Sequence, residues 1–293
     1  MRRIKQDDAT LNHAPNITKG SLLGILAFFC MAVFGIFTKL ACQHGDPIWV
    51  SFITYFVAAT CTTIFILPKG LAGIKSQHYR LLFARAIIGT IASFLYMISL
   101  RYIPIVNATL LFNTAPIFIP FLTVFILKAY VPKHVWFAVL LGFIGILIIV
   151  KPGKDILTDP GNLIGLASGC ALAIAYLIMK LMTATETGLR IIFYYFGIGT
   201  LMQIPLLWFA SNPPPAGNIL YAILAGFMLI AAQLSLIRAY TYATASQVGV
   251  YQYSSVVFVA LIDWLFWSIT PGITDFIGFV LVSIAGIFII LNR

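Results

Sequence analysis

Gly20-Ser21-Leu22-Leu23-Gly24 opens an apolar run that continues through Leu40, and Gly161-Asn162-Leu163-Ile164-Gly165 opens a second that continues through Leu181. Each has the length of about 20 residues that carries an α-helix across the hydrocarbon core of a bilayer. The first is too long for the apolar core of a secretion signal, about 7–15 residues, so it reads as a membrane helix rather than a cleaved leader. Working outward, further runs of this kind occupy about 48–67, 80–101, 104–127, 134–150, 189–209, 217–239, 246–267 and 275–291. Helix-breaking connectors separate them, among them His44-Gly45-Asp46-Pro47, Pro68-Lys69-Gly70, Lys151-Pro152-Gly153 and Asn212-Pro213-Pro214-Pro215. The expectation is an all-α integral membrane protein of ten transmembrane helices, with connectors too short for a soluble domain.

Composition excludes the soluble alternative. Of 293 residues, 61% are hydrophobic and 9% charged, whereas a soluble domain needs roughly 25% charged residues to face water. The 18 Lys and Arg exceed the 8 Asp and Glu, but the basic residues lie between apolar runs and form no patch for nucleic acid. They report topology instead. With the N-terminus in the cytoplasm, only Lys39, Arg101, Lys151 and Lys154 fall outside, so both termini are expected to be cytoplasmic. The four cysteines are dispersed without CxxC spacing, and no redox role is indicated.

The separation between the two opening motifs recurs along the chain. Lys39-Leu40 matches Lys180-Leu181, Tyr55-Phe56 matches Tyr195-Phe196, Tyr102 meets Tyr242, and Gly145-Ile146 meets Gly286-Ile287. A single spacing of about 140 residues, held from first helix to last, marks an internal duplication. Each half holds five helices, and because five is odd the second half enters the membrane from the opposite side. Such inverted repeats are a plan of secondary transporters. The chain divides into a cytoplasmic tail (1–19), a first repeat (20–151), an inter-repeat loop (152–161) and a second repeat (162–293).

Three stretches carry a family resemblance. Gly142-Phe-Ile-Gly-Ile-Leu-Ile-Ile-Val-Lys-Pro-Gly153 looks like the close of a first repeat, Gly278 through Gly286-Ile287 like the close of a second, and Tyr102-Ile103-Pro104 with Asn107-Ala108 like the junction of third and fourth helices. Together they resemble the EamA-type members of the drug/metabolite transporter superfamily, over about residues 18–293. The resemblance implies a carrier of small metabolites with two five-helix repeats. Members often carry a Gly-Glu pair where the fourth and ninth helices end. Here those places read Leu127-Lys128-Ala129 and Trp267-Ser268-Ile269, which separates this chain from mechanisms that use that glutamate.

Polar groups inside apolar runs are the candidates for chemistry, because each is costly in lipid unless it faces a cavity or a partner. The repeat spacing takes Ser93 to Gln233, Asn107 to Gln247 and Asn113 to Tyr253, so three polar positions recur in both halves. Asn107 and Gln247 begin their helices at opposite faces and are candidate gates. Ser93, Asn113, Gln233, Gln252 and Tyr253 are candidate substrate ligands, with interhelical hydrogen bonding as the plainer role. Tyr55, Tyr96, Tyr195, Tyr251 and Phe112 could line the same cavity or simply pack. Asp263 reads either as an interfacial acid beside Trp264 and Trp267 or as a proton carrier. Arg85 and Arg238 read as topology signals or as charges facing the substrate, and Lys39 and Lys180 as interfacial anchors. Pro116, Pro120 and Pro205 should bend their helices.

The leading expectation is a secondary-active carrier in a bacterial inner membrane, working by alternating access, with export favoured. Its substrate would be an amino acid or derivative, a nucleoside-like compound or a small chelator. Uptake of an S-adenosylmethionine-like nutrient is the alternative. No GxxxxGK[ST] loop is present for nucleotide hydrolysis, so the partners expected are substrate, lipid and a proton gradient, without nucleic acid. A membrane enzyme or a non-transporting receptor is remote. His13, His44, His78 and His134 all lie in the tail or connectors, and no metal-ligand or GxSxG spacing exists. No cofactor or metal is called for.

Overall fold

The structure, a computed structural model, describes residues 16–99, 102–103, 105–151, 160–268 and 272–292. Arg101, Pro104, Lys154 and the N-terminal tail through residue 15 lie outside the described residues. Among the described residues, ten helical segments are long and apolar enough to span a membrane. They are α1 (Ile17–Ala41), α2 (Pro47–Ile66), α3 (Tyr79–Ser99), α4 (Ile105–Phe112 and Ala115–Phe125), α5 (Lys133–Val150), α6 (Gly161–Met182), α7 (Gly188–Gln203), α8 (Ala216–Tyr242), α9 (Ala245–Val250, Tyr251–Tyr253 and Ser254–Trp267) and α10 (Ile273–Leu291). Large apolar side chains face outward along them, with Phe65, Leu163 and Leu201 each about two-thirds exposed, as lipid contact requires.

Local chemistry sets the helix starts. The Asn16 side chain accepts from the Lys19 amide to cap α1, Asp46 accepts from Ile48 ahead of Pro47 to cap α2, and Thr187 accepts from Arg190 to cap α7. Each side chain satisfies a backbone donor that has no intrahelical partner.

The packing follows the repeat. α1 lies on α8 and on α9; in the other half, α6 lies on α3 and on α4. α2 touches α8 as α7 touches α3, while α2–α7 and α5–α10 join helices that are equivalent to each other. Contacts between equivalent helices occur on the pseudo-two-fold axis of an inverted repeat, so these two pairs mark it. Lipid tails are as apolar as leucine, so helices associate by close approach rather than by escape from water. Ala27, Ala58, Ala86, Ala138, Ala173 and Ala225 are accordingly buried at 0% exposure.

Two expected continuous helices are interrupted. α4 breaks at Asn113–Thr114, because Pro116 has no N–H to give the Phe112 carbonyl. Side chains reinforce the turn before the break: the Thr114 hydroxyl donates to the Leu111 carbonyl and the Asn113 side-chain amide to the Thr109 carbonyl. The corresponding part of α9 tightens to a 3-10 turn at Tyr251–Tyr253, where Ser254 and Ser255 donate to the Tyr251 and Gln252 carbonyls. Pro120 lies within the second piece of α4, and Pro205 within a 3-10 turn (Ile204–Phe209) that follows α7.

The ends of α4 and α9 share a further feature. Lys128 and Ser268 both take the left-handed conformation, with φ of 53° and 54°, within the two stretches that lack the Gly-Glu pair of the resembling family. Such a backbone costs a residue with a Cβ about 1–2 kcal/mol. Both side chains are exposed, so Lys128→Gly and Ser268→Gly should each stabilise by about 1 kcal/mol, read as a higher melting temperature in detergent.

The α5–α10 contact predicts the opposite sign. A Cβ on Gly145 would stand 2.9 Å from the Gly278 carbonyl oxygen, and one on Gly278 would stand 2.7 Å from the Gly145 oxygen. Gly145→Val should therefore cost about 1–3 kcal/mol by forcing the helices apart. Gly197→Ala, where nothing lies within 4 Å of the new Cβ, should leave the melting temperature unchanged or raised.

Candidate functional site

Arg85, Gly89, Ser93 and Tyr96 recur at helical spacing and form one stripe along α3. At its head, Arg85 is 2% exposed, about 9 Å along the axis from Tyr79. Its Nη2 donates to Gln233 Oε1 on α8 at 3.3 Å and lies 3.9 Å from the Met179 sulfur on α6. Its guanidinium carbon stands 4.3 Å from the centre of the Tyr195 ring on α7. Gly89 makes the room, since a Cβ there would collide with Nη1. Arg85 is thus a buried cation in the bundle and not a topology signal at the membrane surface. Its Nε and Nη1 have no hydrogen-bond partner among the described residues. The ion pairs among the described residues, His78–Glu186, Arg190–Glu186 and Lys151–Asp275, do not include it.

Around this cation stand four tyrosines. The Tyr55 and Tyr195 hydroxyls meet at 2.7 Å; they occupy matching positions on equivalent helices, hence lie on the pseudo-two-fold axis. Gly199 admits the Tyr55 ring, which a Cβ would meet at 2.7 Å. Tyr176 and Tyr240 pack edge to face with centroids 6.3 Å apart, both within the field of Arg85, and the Tyr240 hydroxyl is buried without a partner. The Ser93 hydroxyl donates to the Gly89 carbonyl at 3.3 Å and faces Tyr55.

The far end of the stripe leads to a second polar group. The Tyr96 hydroxyl lies 3.1 Å from that of Thr109, and its ring 4.9 Å from Phe112. One residue on, at the break of α4, Asn113 Oδ1 accepts from Gln252 Nε2 at 3.2 Å. Gln252 sits at the break of α9 and keeps a buried, unpaired Oε1. The two interrupted helices are therefore joined at their interruptions.

Other expected residues are placed elsewhere. Tyr253 is fully buried and packs in a cluster with Leu110, Ile146 and Val282. The Tyr251 hydroxyl lies 2.7 Å from the Ser21 hydroxyl and 3.1 Å from the Gly286 carbonyl oxygen, tying α9 to α1 and α10. Gln247 closes a capping box with Thr244 at the start of α9, so its amide is held locally. Asn107 is buried early in α4. Lys180 does not reach out to water; its Nζ donates to the Tyr240 carbonyl at 2.5 Å. Arg238 and Lys39 are exposed, as surface basic residues should be. The Asp263 side chain lies outside the described residues. An apolar groove of about 240 Å³ between α1, α9 and α10, lined by Ile25, Tyr251, Phe258 and Ile287 among others, has no charged side chain in its lining and includes neither Arg85 nor Asn113 and Gln252.

Sequence reasoning passed over two acids. Asp46 and Glu186 are themselves related by the repeat spacing, just before α2 and α7. Asp46 accepts from the Ser211 amide at 2.9 Å, and its own amide donates to the Asn212 carbonyl at 3.1 Å. Glu186 accepts from Ser76 and, at 2.6 Å, from Arg190. Arg190 in turn donates to the Gly73 and Ala72 carbonyls at 2.8 and 2.7 Å. One acid thus fastens each end of the α2–α7 pair. The signal was available in their repeat spacing, but an acid in a connector reads as solvated.

The arrangement is a ten-helix bundle with two joined discontinuous helices and a buried cation near its internal axis. The model of the EamA-like transporter family matches this chain twice, over residues 18–151 and 159–292. The chain belongs to the EamA-like transporter family. It is a multi-pass membrane protein. A protein of Pseudomonas aeruginosa strain UCBPP-PA14 named pseudopaline exporter CntI is 28% identical over 274 residues, covering 92% of this chain and 95% of its own. The S-adenosylmethionine uptake transporter of Rickettsia prowazekii is 22% identical, covering 83% of each chain. The riboflavin transporter of Vibrio cholerae is 25% identical, covering 90% of this chain and 89% of its own. A solved crystal structure superposes with a TM-score of 0.80 over 94% of this EamA-like chain and 97% of its own, at 15% identity, a likeness of fold alone.

Glu186→Ala should cost about 2–3 kcal/mol, since it strips a buried carboxylate from charged and neutral donors. It should also speed amide exchange over residues 70–78. Unchanged exchange there would show that Glu186 does not hold this connector.

Proposed function

We propose that this EamA-like protein is a secondary-active carrier that moves a small polar or amphipathic organic metabolite by alternating access. The observation that carries the reading is the junction of polar groups at the seam of the two halves. Arg85, Gln233 and the Tyr55–Tyr195 pair lie at one end of the α3 stripe, and Asn113–Gln252 at the other. Discontinuous helices meeting inside an inverted repeat are where carriers place their substrate. The substrate-facing groups in this reading are Arg85, Ser93, Asn113, Gln233 and Gln252.

Export is the favoured direction, in keeping with the name of the 28% identical relative. Uptake is the second reading, favoured by the name of the 22% identical relative. The basic connectors support cytoplasmic termini, with residues 20–151 and 162–293 as the two repeats of an inner-membrane carrier.

The test is flux in proteoliposomes with riboflavin, S-adenosylmethionine and an amino-acid panel, with and without a pH gradient. At least one compound should move saturably through the wild type. Asn113→Ala and Gln252→Ala should each slow that flux about tenfold, the worth of one ligand hydrogen bond of about 1.4 kcal/mol. Movement of no compound would count against the carrier. Loss of a gradient response in Asp263→Asn would assign proton carriage to Asp263, and an unchanged response would leave it an interfacial acid.

A further inference from the structure

Donors and acceptors do not balance around Arg85. Its Nε and Nη1, together with the Tyr240 hydroxyl, are buried without an acceptor. Among the described residues, the groups packed against this point supply no carboxylate and only neutral acceptors that are weak or already engaged. Gln233 Oε1 is already taken by Nη2, the Met179 sulfur is a weak acceptor, and the Tyr55 and Tyr195 hydroxyls bond each other. Arg85 cannot shed its charge, because a guanidinium does not deprotonate in proteins. A full positive charge at this depth with no carboxylate beside it is incomplete by the ordinary rule for buried ions.

The missing complement is an anion with in-plane acceptors. The Tyr195 ring covers one face of the guanidinium, so an acceptor must approach along its edge. Carboxylates do this with two oxygens. Charge selects among oxyanions, since a single fixed cation neutralises a monoanion, whereas a phosphate dianion would leave net charge in a low dielectric. The repeat gives no second cation here: the position equivalent to Arg85 in the other half is Ala225, which is fully buried.

We infer that Arg85 is the anchor for a carboxylate group on the molecule bound at the junction of α3, α6, α7 and α8, with the tyrosines as walls for the rest of that molecule. The inference rests on the carrier reading only in taking that molecule to be the cargo.

The test is ligand binding by thermal shift on the purified full chain. Benzoate, phenylalanine and lactate are each compared with a carboxyl-blocked amide or ester, and phenyl phosphate serves as the phosphate arm. At least one free carboxylate should raise the melting temperature by several degrees while its blocked counterpart does not. Gln233→Glu places a tethered carboxylate beside Nη2, so it should raise the melting temperature of the unliganded protein and abolish the carboxylate shift. Arg85→Gln should keep or raise the unliganded melting temperature and likewise abolish the shift, whereas an Arg85 that merely held the bundle together would lower it. The inference is overturned if no free carboxylate stabilises the wild type, if blocked compounds stabilise equally, if only phenyl phosphate does, or if the shift survives in Gln233→Glu. That last variant decides the matter even if Arg85→Gln does not fold. Flux of the stabilising carboxylate is measured separately, so binding without flux would remove the carrier reading and leave the Arg85 site standing.

Discussion

The Tyr55 and Tyr195 hydroxyls touch at 2.7 Å, and they are the same residue of the two repeats. Two equivalent groups in contact must lie on the axis that exchanges the halves, so this bond fixes where that axis passes. Around it, α2 packs on α7, and the remaining helices fall into exchanged pairs. Each tyrosine hydroxyl is bonded by its counterpart in the other half. A phenol deep in the bundle needs a partner or pays a desolvation penalty of about 1–3 kcal/mol, and the partner comes from the other repeat. Asp46 and Glu186 fasten the two ends of the same helix pair through the connectors. The axis is thus held at its middle and at both ends by groups that recur at one spacing.

The interrupted helices follow from the same arrangement. A break in a membrane helix frees carbonyls that water cannot reach, so it persists only where protein groups satisfy them. Beside the break in α4, the Asn113 and Thr114 side chains give second donors to the Thr109 and Leu111 carbonyls, and at the turn in α9 Ser254 and Ser255 do the same for the Tyr251 and Gln252 carbonyls. The causes differ although the outcome recurs. Pro116 forces the first break, while the second has no proline and rests on serine hydroxyls competing for the carbonyls three residues back. Asn113 and Gln252 then bond across the two breaks, so a shift in one interrupted helix is felt directly by the other.

Much of this was legible in the sequence, and the parts that were not have physical reasons. Hydropathy located the ten helices because lipid imposes length and apolarity on every span. The echo between the halves anticipated which helices are equivalent. It also singled out Asn113 and Gln233, although it matched Asn113 with Tyr253, while the bond is to Gln252, one position away. At a 3-10 turn the helical phase slips, so spacing alone misplaces a side chain by about one residue. The missing Gly-Glu pair at the ends of the fourth and ninth helices was visible too, and in each of those stretches one residue, Lys128 or Ser268, adopts the conformation that favours glycine. Arg85 was ambiguous because a basic residue one to two turns into a helix can snorkel outward. Only packing shows that Gly89 opens space on the inner face and turns the guanidinium under Tyr195. The acids at 46 and 186 were passed over because a connector sequence carries no sign of its burial.

Symmetry explains the scaffold, and Arg85 is where symmetry stops. An arginine at the centre of a membrane helix costs about 2.5–3.5 kcal/mol on insertion scales. The contact with Tyr195 returns up to about 2 kcal/mol and the bond to Gln233 about 1.5–3. These terms roughly cancel, which leaves the unpaired Nε and Nη1 as a net penalty within the protein alone. A residue retained for stability would have its partners built in, as Arg190 does with Glu186 and two carbonyls. The same chain therefore contains both solutions, one arginine completed by its own fold and one left incomplete. The repeat does not duplicate this charge: position 225, equivalent to Arg85 in the other half, is a fully buried alanine, so Arg85 is the point at which the two halves differ most in electrostatics.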